Sequence, residues 1–203
     1  MRRAAFTLIE LLLVLTIIGL LLVVLLPRLV EPLQRGRARQ TQLIEQQIAG
    51  MVDSFENENG DFPASDYQGL ASHPPNDLNT GAESLVALLA APDYAGPKPE
   101  ERMLVNSDED RFPTRVTAFA VDDAFEVQDA WGNPIAYFHS RGYGKRQAYR
   151  CAGEAGTGGD YDVEARRSRK TGNFLRPEDY QLISAGKDGA FGTPDDIVLG
   201  EDG

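Results

Sequence analysis

The sequence predicts an α+β fold in which one long amino-terminal helix is followed by a smaller region of strands. Three patterns predict it. The chain opens with an apolar run over residues 6–26, broken only by Glu10 and two threonines. A second stretch, from Thr41 through Ile44, Ile48, Met51 and Val52 to Phe55, repeats apolar residues at three- and four-residue intervals. Further on, turn residues lead into β-forming runs at 135–138 and 180–184.

The apolar run of about 21 residues extends about 31 Å as a helix, enough for a bilayer core. Arg2 and Arg3 precede it and Ala4-Ala5 separate them from Phe6. A secretory signal is shorter and ends in a small-residue cleavage site, whereas this run ends in Pro27-Arg28. Glu10 is the anomaly. A carboxylate at the middle of such a span costs about 2.5–3.5 kcal/mol, less near the interface, and the segment offers it no evident partner in its own helix.

Phe6-Thr7-Leu8-Ile9-Glu10-Leu11 resembles the processing site of the type IV pilin and type II secretion pseudopilin family. The resemblance implies a leader of residues 1–5, cut between Ala5 and Phe6 by a prepilin peptidase that then methylates the new Phe6 amine. The family's leader commonly ends in glycine; here it ends in Ala5. Glu10 then corresponds to the family's retained glutamate, which pairs with the Phe6 ammonium of an adjacent subunit during assembly. Pro27 falls where the family has a helix-bending proline.

The resemblance extends to the layout: a long kinked helix, transmembrane in its first half, on a small antiparallel sheet. Residues 6–26 are expected to span the inner membrane with the amino terminus cytoplasmic and the domain periplasmic. Residues 27–60 continue as an amphipathic helix, with room for a break or a partly melted stretch from Pro27 to Gly36 because Pro32 follows so closely. Arg39, Gln42, Glu45, Gln46 and Asp53 are assigned to its polar side. The helix ends near Asn59-Gly60, ahead of Pro63.

Residues 61–128 read as a variable connecting region with a short helix over 82–90, stopped by Pro92, and an exposed connection over 94–111. Residues 129–203 form the sheet domain. Asp129-Ala130-Trp131-Gly132-Asn133-Pro134 resembles the turn that opens the pseudopilin sheet, and Trp131 is expected to anchor the core over the helix. Residues 140–172 read as a flexible or hairpin-forming insertion, and 180–184 as the last core strand.

The end of the chain resembles the calcium loop of type II secretion major pseudopilins, from Ser184 through Gly186, Asp188, Gly189, Gly192 and Thr193 to Asp195-Asp196-Ile197. The chemistry is compatible. Calcium takes six to eight hard oxygen ligands, and a glycine-containing loop can turn Asp188, Asp195 and Asp196 toward one point. Backbone carbonyls over 183–190 are expected to complete the shell.

Other classes find less support. A net charge of −11 disfavours non-specific nucleic-acid binding. The basic groups at 35–39 and 166–170 read as solvated faces. Cys151 is the only cysteine, which excludes an intrachain disulfide. His73 and His139 stand alone, and the paired aspartates at 122–123 and 195–196 are sequence neighbours, poorly spaced for acid–base work across a substrate. The expected function is a structural, non-enzymatic pseudopilin of a type II secretion system. Its expected partners are prepilin peptidase, other pseudopilin subunits and an inner-membrane assembly platform. The alternative is a type IV pilus or competence-type minor pilin.

Overall fold

The computed structural model describes residues 7–68, 70, 76–153 and 158–201. The chain divides into two compact units, Met1–Arg37 and Ala38–Gly203. The leader, Ala5 and Phe6 lie outside the described residues, as does His73, and nothing is described of the Pro27 side chain.

Helix α1 spans Leu8–Asn59. Its first turn is closed by Thr7 and Glu10. The Thr7 backbone N–H and hydroxyl each donate to Glu10 Oε2 at 2.9 Å, and Glu10 N–H donates back to the Thr7 hydroxyl at 3.3 Å. This is the reciprocal arrangement of a capping box. It corrects the expectation that Glu10 has no partner within its own helix: a threonine three residues earlier supplies one. The large apolar side chains between Leu8 and Val23 are exposed. Among the described residues, no helix is long and apolar enough to cross a membrane.

The break allowed for between Pro27 and Gly36 does not occur, since the α-helical backbone continues through Pro27 and Pro32. Each proline removes one backbone donor. Helix already formed on both sides keeps the intervening residues in place, because extending an existing helix avoids the cost of a new nucleus. Gly60, at φ 79, ends α1 by bonding its N–H to the Glu56 carbonyl at 2.7 Å.

Within Ala38–Gly203, α1 turns Thr41, Glu45, Ile48 and Val52 inward, all buried. Glu45 was expected on the polar side. Its position, four residues after Thr41 and three before Ile48, puts it on the buried face whatever its charge. Helix α2, Thr80–Leu89, is buried along nearly its whole length. Strands β1 (Leu104–Val105) and β2 (Glu126–Val127) form a short antiparallel ladder. The connection over 94–111 is therefore not an exposed link: Tyr94, Met103 and Leu104 are buried and join the main core, where their apolar area is removed from water.

Strand β3, Ala136–His139, follows the turn at 129–134. Strands β4 (Gln147–Cys151) and β5 (Gly159–Val163) form an antiparallel hairpin out of the 140–172 insertion, clamped across the pair by the two-pronged Arg150–Asp160 contact at 2.7 and 2.8 Å. Strand β6, Tyr180–Ser184, is central rather than last, because β7, Ile197–Val198, pairs along its free edge.

The three-stranded sheet β3-β6-β7 is buried on both faces, following the two-residue period of strands. Ile135, Tyr137, Tyr180 and Leu182 face α1 and α2, meeting Ile48, Val52, Leu85 and Leu89. Ala136, Phe138, Ile183 and Val198 face the hairpin, meeting Tyr149 and Val163. Trp131 is only half-buried and belongs to none of the three buried clusters; tyrosines 137, 149 and 180 with Phe138 are the largest enclosed side chains. The turn explains the displacement, since Gly132 at φ 89 puts Trp131 at its tip.

Candidate functional site

Asp129 organises the turn that leads into β3. Its Oδ1 accepts the N–H groups of Trp131 at 2.8 Å and Asn133 at 3.0 Å, and its Oδ2 accepts the Ser184 hydroxyl at 2.6 Å. Ser184, at the end of β6, in turn accepts the Gly186 N–H at 3.1 Å. The turn and the start of the carboxylate loop are thus joined through one hydroxyl. Pro134 is buried behind the turn.

The carboxylate loop leaves β6 through a single 3-10 turn, Gly186–Asp188. Gly186 sits at φ 66 with the Asp195 carbonyl where a side chain would begin: a Cβ there would lie 2.2 Å from that oxygen. Only glycine allows so close an approach. Asp195 faces Asp188, taking the Asp188 N–H at 3.1 Å and the Thr193 hydroxyl at 2.7 Å. Asp188 accepts the Ala190 N–H at 2.9 Å. Burial lifts the Asp195 carboxyl, but the bonds from Thr193 and Asp188 outweigh it and hold it below the usual carboxylate range.

Asp196 turns to a different partner. Arg166 forms an ion pair with its Oδ2, which also accepts the Gly192 N–H at 2.8 Å. Burial pushes the Asp196 carboxyl up, against the pull of the Gly192 amide and the guanidinium. The loop's carboxylates are therefore satisfied by amides, a hydroxyl and an arginine. As a calcium cradle they fit only in part: Asp188 and Asp195 adjoin, while a cation at Asp196 has to displace Arg166. Sequence reading missed Arg166, placing it in a solvated basic run. Its proximity arises because β6 lies between the two segments, with Gln181 Oε1 accepting the Arg166 N–H at 2.6 Å. Among the described residues, the carboxylates that do gather within 4.8 Å of one another are Glu83, Asp108 and Asp110, in a different part of the fold.

His139 is tied into the structure on both ring nitrogens, at the wall of a cleft it shares with Ser65, Arg141 and Gln147. It is buried, its Nε2 lies 3.2 Å from Asp61 Oδ1, and its Nδ1 accepts the Arg141 N–H at 3.1 Å. Cys151 is also buried, and burial first, then the negative charge of Asp129, pushes its thiol up to about 12. A thiol so shifted is a poor nucleophile.

Residues 1–26 match the family model of the prokaryotic N-terminal methylation motif. No curated protein and no solved structure matches the chain. The matched motif contains Ala5, Phe6 and Glu10, and it is a motif of membrane-anchored pilins, which are structural proteins. It implies processing by a prepilin peptidase and assembly with other pilin subunits. The amino-terminal motif thus indicates a type IV pilin-like chain made as a prepilin.

Proposed function

We propose that the chain is a structural, non-enzymatic pseudopilin of a type II secretion system, polymerised into a periplasmic fibre that drives protein export. The observation that carries the reading is the methylation motif with Glu10 at the head of a long apolar helix. In this proposal residues 6–26, including those beyond Val23, anchor the chain in the inner membrane, with the amino terminus cytoplasmic and Ala38–Gly203 periplasmic. Assembly moves the exposed apolar side chains of α1 from lipid to fibre core, so the apolar area stays out of water throughout. Glu10 exchanges its Thr7 donors for the methylated Phe6 amine of a neighbour, a charge-assisted bond in a low-dielectric setting. Other pseudopilin subunits and an assembly platform are the remaining partners, and nucleic acid is not one.

The turn at Asp129 and the terminal loop support the secretion branch over a type IV pilus or competence-type minor pilin. We also propose calcium at Asp188, Asp195 and Asp196, in a form that requires Arg166 to release Asp196.

A deletion strain tests the functional reading. Loss of exported proteins to the periplasm with surface pili intact is expected. Lost pili, motility or DNA uptake with normal export overturns the secretion assignment and moves the protein to the pilus branch.

A further inference from the structure

A second group of acids lies beside α2, well away in sequence from the terminal loop. Glu83 projects from α2, and Asp108 and Asp110 come from the loop that follows β1. One carboxylate oxygen from each of the three lies within 4.8 Å of the others. Each acid gives one oxygen to a neutral donor. The Tyr67 hydroxyl donates to Glu83 Oε2, and the Asn76 amide donates at 2.7 Å to Oδ2 of both Asp108 and Asp110. The second oxygens, Glu83 Oε1, Asp108 Oδ1 and Asp110 Oδ1, are buried and have no hydrogen-bond partner.

The Glu83 side chain makes this more than an acidic patch. Glu83 is fully buried, at 0% exposure, its Oε1 has no hydrogen-bond partner, and its carboxylate lies within 4.8 Å of those of both aspartates. Buried polar oxygens are almost always satisfied, so three orphans in one place point to a missing partner. Protein cations do not fill the role. Arg111 is paired with Asp123 and Arg150 with Asp160; Arg150 also feels the charge of Asp108, but among the described residues no lysine or arginine forms an ion pair with any of the three acids. A fourth carboxylate, Glu126 on β2, is also fully buried nearby. Its oxygens accept the Asn79 amide at 2.6 Å and the Ser107 N–H at 3.1 Å, so it adds charge without being free to ligate.

We propose that Glu83, Asp108 and Asp110 form a binding site for a hard divalent cation of the calcium class. All candidate ligands are oxygens, which excludes the softer thiolate and imidazole sites. The set is irregular and partly loop-borne, and this suits the variable coordination of calcium better than the strict octahedron of magnesium. Asp108 and Asp110 are half-buried, leaving a side open for waters to complete the shell. Without the cation the charges are held off: burial first, then Asp110, Glu126 and Asp108, push Glu83 up to about 11. Bound cation therefore fastens α2 to the β1–β2 connection and adds its binding free energy to folding. This site is independent of the export reading and of the terminal loop.

Terbium luminescence on the detergent-solubilised full chain tests it, with Tyr67 as the built-in sensitiser. Asp195→Asn/Asp196→Asn silences the terminal loop as a contributor. In that background, stoichiometric emission is expected, displaced by calcium at least tenfold more effectively than by magnesium. Adding Asp108→Asn and Asp110→Asn is expected to weaken terbium binding at least tenfold. The metal-free melting temperature of that protein should equal or exceed its parent's, because like-charge repulsion is gone, so the loss is not unfolding. Glu83→Gln serves as a second variant with the same expected pattern. No emission in the Asp195→Asn/Asp196→Asn background overturns the site, as does emission unchanged by the Asp108 and Asp110 substitutions. Magnesium displacing as well as calcium overturns the choice of ion class.

Discussion

Asp129 and Ser184, distant in sequence, share a 2.6 Å hydrogen bond that joins the turn before β3 to the end of β6. Both are buried. The bond makes one folding unit of two segments whose individual roles are local: Asp129 shapes its own turn, and Ser184 shapes the exit into the carboxylate loop.

Asp129→Ala should therefore cost more than an ordinary surface change. It strands the Trp131 and Asn133 amides and the Ser184 hydroxyl, and a loss of about 2–4 kcal/mol is expected from unpaired buried donors. Ser184→Ala should cost about 1–2 kcal/mol. The double variant should fall short of the sum, because the shared bond is lost only once. Urea denaturation of all three measures this; strict additivity contradicts the coupling.

Glu45 makes stability fall with pH. Burial, and then the charge of Asp129, push its carboxyl up to about 9 from an ordinary 4.5. Between those values the folded chain holds a proton that the unfolded chain has released, so the unfolded state binds fewer protons. The contribution is present below 4.5 and is lost as pH rises through about 9. Its limiting slope is about 1.4 kcal/mol per pH unit. Glu45→Gln should flatten that slope and stabilise the protein at pH about 8 by about 1–3 kcal/mol. Denaturation midpoints at about pH 5 and pH 8 decide it, and parallel curves for the two proteins rule it out.

Gly81 tests how tightly α2 is seated. A Cβ there would stand 2.2 Å from the Tyr137 carbonyl and 2.6 Å from the Tyr149 hydroxyl. Gly81→Ala forces α2 away from β3 and should lower stability by about 2–4 kcal/mol, although alanine is the better helix former. A gain in melting temperature contradicts the packing.

Arg166→Gln separates the two modes of holding the carboxylate loop. Removing the guanidinium from Asp196 should destabilise the calcium-free protein and enlarge the rise in melting temperature on adding calcium. Asp196→Ala should shrink that rise. Equal calcium responses in wild type and both variants contradict calcium binding in this loop.

Glu10→Ala should leave a membrane-inserted chain that no longer enters a fibre, since the capping of Thr7 is minor beside the lost partner for a neighbour's amine. Crosslinking of subunits in the membrane, wild type against variant, reads this directly. Assembly at the wild-type level sinks the assigned role of Glu10.

The primary sequence by itself determined the elements whose signals are local. The amino-terminal motif, the helical period from Thr41 to Phe55, the helix before Pro92 and the turn before β3 all depend on spacing within a few residues. Even the position of Glu45 was legible from spacing, and only its charge concealed it. The persistence of α1 through Pro27 and Pro32 was not legible, because proline's local cost is set against helix on both sides. Nor was the half-burial of Trp131, which depends on which way one turn faces. Arg166 beside Asp196 and Glu83 beside Asp108 and Asp110 were also beyond it. Those pairings join segments that are far apart in the chain and meet only in the packed fold, and long-range approach leaves no periodicity in the chain. Tertiary structure alone decided which of the many acids in this chain are paired, which are buried, and which are brought together from distant segments.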